Sequence, residues 1–162
     1  MPAPELPSLD CATIIAAPAT RILRAFFDAP AMKEWWDVSQ AVVTPRPLGA
    51  YAVQWAPTDF RDEVLGTLGG VFYGTVIDID LQKGFFIADA YWLPPEGDPI
   101  GPMAMNVTCE PVALPNASAT KVRVRQTGYE DSARWRRYYE VVGRGWDMSL
   151  AALKRQLEQV DR

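Results

Sequence analysis

The chain has 162 residues, 49% of them hydrophobic and 22% charged, with a net charge of −4. That balance suits one globular domain with a substantial core and argues against nucleic acid or an anionic membrane surface as the partner. There is no histidine, which excludes histidine triads, histidine metal sites and the usual neutral-pH general base.

Residues 1–8, "MPAPELPS", are proline-rich and read as a flexible tail before a single domain over 9–162. "LDCATIIAA" is a short strand of β-branched residues ended by Pro18. "PATRILRAFFDAP" opens with proline in the first helical turn and stops at Asp28-Ala29-Pro30, with Ile22, Leu23, Phe26 and Phe27 on its apolar side. "AMKEWW" adds a second helical turn that delivers Trp35 and Trp36.

From about residue 41 the period becomes two. "AVVTPRP" and "GAYAVQWAP" form the arms of a hairpin that turns at Pro45, Pro47 and Gly49. "GTLGG" at 66–70 is a turn, since no Lys-Ser/Thr follows to make a phosphate loop. "GGVFYGTVIDID" places Val71, Tyr73, Thr75, Ile77 and Ile79 opposite Asp78 and Asp80. In "KGFFIADAYWL", Phe86, Ala88, Ala90 and Trp92 share the face opposite Asp89. "MAMNVTCEPV" puts Met103, Met105, Val107 and Cys109 together, and "ATKVRVRQTG" sets Val122, Val124 and Gln126 against Lys121, Arg123 and Arg125. Such half-polar alternation marks an antiparallel sheet with one wet face.

The last segment is helical, capped by Asp131 or Ser132. Trp135, Tyr139, Val142, Trp146, Leu150, Leu153, Leu157 and Val160 recur at steps of three and four. A stripe of that length must lie across the sheet. Gly143 and Gly145 interrupt it at about 80° to either side, baring both shoulders of the helix beside Trp146. Close approach of helix and sheet is the expected reason, with ligand contact the alternative. Arg134, Arg136 and Arg137 lie near Glu130, Asp131 and Glu140 and read as a solvated, mutually paired surface.

This order, a strand, two short helices, six strands and one long helix, resembles the helix-grip fold of the START-related, birch-pollen-allergen-like superfamily. "IIAAPATRILRAFFDAPAMKEWWD", "GGVFYGTVIDID" and "GWDMSLAALKRQLE" are similar to the opening, central strand and terminal helix of the activator-of-heat-shock-protein-ninety-ATPase homology family. The resemblance covers about residues 10–158. It implies an α+β domain in which a curved antiparallel sheet of about seven strands wraps the C-terminal helix and leaves a cavity between them. The eukaryotic co-chaperones of that family carry a further N-terminal domain for which this chain has no room, so chaperone activation is not carried over.

The expected function is binding of a hydrophobic or aromatic small molecule, or a lipid-like ligand, in that cavity. The expected lining is Trp35, Trp36, Tyr51, Trp55, Tyr73, Phe86, Trp92, Met103, Met105, Gln126, Tyr139, Trp146 and Leu150. The alternatives are a polyketide cyclase/aromatase-like enzyme, which would need an inward carboxylate such as Glu34, Glu63 or Asp89 or a tuned tyrosine, and a co-chaperone-type interaction domain. No cofactor, metal or membrane partner is expected, and the protein should act as a monomer or homodimer. No run reaches the roughly 18 apolar residues of a membrane span and no leader pattern opens the chain, so the expected setting is the cytoplasm. Cys11 and Cys109 are then free buried thiols. The final strand should separate them, at about 9–10 Å for two strand spacings.

Overall fold

The computed structural model describes residues 6–114, 117–128 and 130–159. The elements in chain order are β1 (Ser8–Ile15), α1 (Ala19–Ala25), α2 (Ala29–Trp35), β2 (Gln40–Val43), β3 (Ala50–Trp55), β4 (Arg61–Asp62), β5 (Gly66–Thr67), β6 (Gly70–Asp80), β7 (Gly84–Leu93), β8 (Ile100–Leu114), β9 (Ala117–Thr127) and α3 (Ala133–Gln159). Seven strands form one antiparallel sheet in the order β1-β9-β8-β7-β6-β3-β2, with β4 and β5 as a separate small hairpin. This is the helix-grip arrangement. Residues 1–5 of the expected tail and Val160 of the expected stripe lie outside the described residues. Two residues of the expected tail join the sheet: Pro7 O accepts from Gly128 N and Ser8 pairs with Thr127.

Pro30 sits in the first turn of α2, where its missing N–H would have had no partner, while α1 ends earlier than expected, at Ala25 with Phe26 as its C-cap. α3 is a single helix through both glycines. Ser132 is its cap, with Oγ accepting from Trp135 N at 3.3 Å. One face buries Trp135, Tyr138, Tyr139, Trp146, Leu150, Leu153 and Leu157. Its second half is stitched to the open edge of β1 and to α1. Lys154 Nζ donates to Ile14 O at 2.7 Å, Ala16 N donates to Glu158 Oε1 at 3.0 Å, and Arg21 of α1 donates to Leu157 O at 2.9 Å. The first two contacts occupy backbone groups that a bare edge strand would offer to another chain.

Three strands depart from strict alternation. β6 pairs with β7 through register shifts between Tyr73 and Thr75 and between Val76 and Asp78. Against β8, β7 shifts between Ile87 and Ala90, where Asp89 has φ 54°, and again between Ala90 and Trp92, where β8 carries the extra residue between Ile100 and Met103. Each extra residue turns the following side chains over. The inward residues are therefore Phe72 and Val76 on β6, and Phe85, Ile87, Ala90 and Trp92 on β7. Tyr73 and Phe86, both expected to face inward, lie on the outer face. Tyr73 is 39% exposed and stacks on Tyr91 at 5.5 Å; Phe86 is half-buried. The inward ring is its neighbour, Phe85, packed against Phe26, Phe27 and Tyr51.

Candidate functional site: an aromatic cleft

A cleft of about 600 Å³ opens between the middle of α3, the inner face of the sheet, the end of α2 and the 56–69 hairpin. Trp36 forms one wall. It stacks on Trp35 at 5.0 Å and 8°, meets Trp146 of α3 at 4.8 Å, and meets Trp55 edge-on at 5.3 Å. A second ring pair, Trp92 and Tyr138, lies 5.5 Å apart. The indoles are held by the backbone: Trp55 Nε1 donates to Trp36 O at 3.0 Å and Trp92 Nε1 to Gly69 O at 2.8 Å. These bonds satisfy the polar edge of each ring and fix its plane.

The hairpin supplies Leu65 and Leu68 to the cleft. Its β4 strand carries Asp62, whose carboxylate is buried. It accepts from Val64 N and Leu65 N, closing a turn, and from Arg137 Nε and Nη2 of α3 at 2.8 and 2.6 Å. The Arg137 hydrogen bonds hold the carboxyl down at about 2, outweighing the upward push of burial, with the two backbone N–H groups assisting. Of the other arginines, Arg136 pairs with Asp131, whereas Arg134 donates to the Asp98 and Pro99 carbonyls. The expected solvated surface thus includes one buried pair, Asp62–Arg137.

Six of the expected residues line the cleft: Trp36, Trp55, Trp92, Met105, Gln126 and Trp146. Five others are buried or turned elsewhere. Trp35 backs Trp36 and donates to Ala25 O at 3.0 Å, and Tyr51 donates to Phe26 O at 2.9 Å. Tyr139 points its hydroxyl at Met103 Sδ, 3.9 Å away, so these two fill each other's space. Leu150 borders a separate hollow of about 320 Å³ between α3 and β1. Tyr73 and Phe86 are on the outer face, as described above. Alternation missed Phe72 because of the bulges. Tyr138 is one turn on from Arg134 but only three residues from Trp135, and that spacing was its available signal.

The glycines do not mark a tight helix–sheet contact. A Cβ on Gly143 would first meet Leu9 Cβ at 4.0 Å, and one on Gly145 would meet nothing within 4 Å. Gly145 instead lines the cleft, while Gly143 faces β1, its carbonyl accepting from Cys11 Sγ at 3.6 Å.

Asp37 is the single carboxylate among the described residues of the lining, exposed at the mouth with φ 57°, and no lysine or arginine joins it. Glu34, Glu63 and Asp89 are all exposed, and Glu34 accepts from Gln156 Nε2 at 2.6 Å. Burial pushes the Tyr138 and Tyr139 phenols up, so both stay protonated at neutral pH. Among the described residues, no group of three or more histidine, cysteine, aspartate or glutamate side chains is placed to hold a metal ion. No described helix is long and apolar enough to cross a membrane.

Fold and site together define a helix-grip domain with an apolar, aromatic-walled cleft. The chain belongs to the Activator of Hsp90 ATPase homolog 1-like protein family, whose profile matches residues 16–158. No curated protein matches it. Among solved structures it is similar to protein MLL2253 from Mesorhizobium loti, at 20% identity and a TM-score of 0.69 over 96% of this chain and 99% of that one. The AHSA1 protein from Silicibacter pomeroyi is similar at 13% identity and a TM-score of 0.66, over 94% and 98%. DynU16, a protein in the dynemicin biosynthetic locus, is similar at 16% identity and a TM-score of 0.60, over 93% of this chain and 47% of that one.

Proposed function

We propose that this protein binds a hydrophobic or aromatic small molecule, or a lipid-like one, in the cleft between α3 and the sheet. The carrying observation is the cleft itself: about 600 Å³, walled by Trp36, Trp55, Phe72, Trp92, Tyr138 and Trp146, with no lysine or arginine among its described lining residues. That is the size and lining of a small-molecule site. Ligand capture weighs above a cyclase-type reaction because burial raises the Tyr138 ionisation further above neutral pH and the acid at the mouth is solvent-exposed.

The test is titration with a neutral environment-sensitive dye, N-phenyl-1-naphthylamine, followed by dye enhancement and tryptophan quenching. Saturable binding at one site per chain is expected, and Gly145→Phe, which adds a ring at the mouth of the cleft, should change its affinity while near-ultraviolet circular dichroism of the free protein stays native. Binding that is unaltered by Gly145→Phe, or no binding at all, would sink the proposal.

A further inference from the structure

Gln126 is the odd residue of β9. The inward positions of that strand run Thr120, Val122, Val124 and Gln126, all buried. Thr120 is satisfied within the protein, its hydroxyl donating to Ala17 O at 2.7 Å. Gln126 is 2% exposed, flanked across the sheet by Leu9 and Met105, and among the described residues nothing donates to its Oε1. Its side chain is part of the cleft wall, among Met105, Tyr138 and Trp146. Burial orders the cleft from an enclosed floor, which includes Gln126 and Met105, to an exposed mouth at Asp37, Ser39, Thr58 and Gly145. A buried acceptor without a donor is a standing cost, and alternation alone would put an apolar side chain there.

From this geometry we infer that Gln126 is the specificity-determining anchor of the cleft, taking a ligand whose flat apolar body carries a hydroxyl or N–H donor at its inner end. The inference rests on the small-molecule reading of the cleft and narrows it to phenols and related hydroxylated or N–H-bearing aromatics. The ring walls accept any flat apolar molecule by area and dispersion. Gln126 Oε1 discriminates, because it is a buried acceptor that no described protein group satisfies, and only a donor at the ligand's inner end relieves it. The mouth, with Ser39, Thr58 and Ser149, tolerates polar substituents at the outer end.

The experiment compares 2-naphthol with naphthalene and 2-methoxynaphthalene, which lack the donor and bracket 2-naphthol in size, by equilibrium dialysis against the wild-type protein and Gln126→Met. Wild type should favour 2-naphthol over both by about tenfold, the worth of one hydrogen bond to a buried acceptor. Gln126→Met should lose the 2-naphthol preference, because the hydroxyl is then buried without an acceptor, and should melt no lower than wild type, since it removes an unsatisfied group at nearly constant volume. Equal binding of all three by wild type overturns the inference and leaves the cleft reading standing. A 2-naphthol preference that persists in Gln126→Met also overturns it, as does a methoxy preference lost in that variant, which would mean that the amide presents its nitrogen. Failure of all three probes to bind wild type overturns the inference and the cleft reading together.

Discussion

Asp62 and Arg137 are 75 residues apart in the chain, yet Arg137 Nη2 lies 2.6 Å from Asp62 Oδ1. The pair ties the small β4–β5 hairpin to α3 and so fixes one wall of the cleft. Asp62 has a side chain only 2% exposed, whereas Arg137 is 29% exposed, so the bond is reached by solvent from the arginine side alone. Asp62→Asn keeps an acceptor for Val64 N and Leu65 N but loses the charge. It should lower stability by about 1.5–3 kcal/mol in urea unfolding, the range for a hydrogen bond to a charged group. Dye affinity should fall with it, since Leu65 and Leu68 are no longer held. An unchanged affinity would mean that the hairpin wall stands without its tie.

The same pair sets a pH dependence. The Asp62 carboxyl falls from an ordinary value of 3.8 to about 2 on folding, chiefly through Arg137. A group depressed in this way adds stability that is complete above about pH 4 and fades as pH drops through about 2. The stability gap between wild type and Asp62→Asn should therefore be constant from neutral pH to about 5 and close progressively below 4. A gap that persists at pH 2 would exclude the ion pair as its source.

Phe85 and Phe86 test the strand register. Phe85 is 3% exposed and packs on Phe26, Phe27 and Tyr51, while Phe86 lies half-buried on the outer face. Phe85→Ala should cost about 3–5 kcal/mol, as for a buried ring, and Phe86→Ala about 1 kcal/mol. The reverse order in chemical denaturation would restore simple alternation along β7 and refute the bulge at Asp89.

Open space around the helix glycines makes a prediction of opposite sign from close packing. Gly143→Ala and Gly145→Ala should each stabilise α3, by up to about 1 kcal/mol, because the methyl meets little or nothing. Only Gly145→Ala should also alter dye binding, since Gly145 lines the cleft and Gly143 faces β1. Destabilisation by either substitution would contradict the helix placement.

The thiols are separated by β9: Cys11 pairs with Val124 and Cys109 with Val122 on its two sides. Burial pushes Cys11 up to about 11, with Asp147 adding to it, and Cys109 up to about 12. Both should resist Ellman's reagent at pH 8 in the native protein and both should react after unfolding. Fewer than two thiols per chain under denaturing conditions would contradict this strand order.

The order of the helices and of the seven main-sheet strands, the apolar stripe of α3, the paired tryptophans and the family were legible in the sequence, because periodicity and turn residues are local signals read over a few positions. The β4–β5 hairpin was not, and Gly66 and Thr67, expected in a turn, form its second strand. So were six lining residues, those on regular stretches where the phase carried through. Tyr73, Phe86 and Phe72 were misplaced because β6 and β7 carry apolar residues on both faces. A bulge that turns the strand over then leaves the hydrophobic pattern looking unchanged. The space beside Gly143 and Gly145, the burial of Asp62 against Arg137 and the unpartnered oxygen of Gln126 could not be read at all from order along the chain. Each depends on which side chains, far apart in sequence, fill or fail to fill one volume, and only the packed tertiary structure decides that.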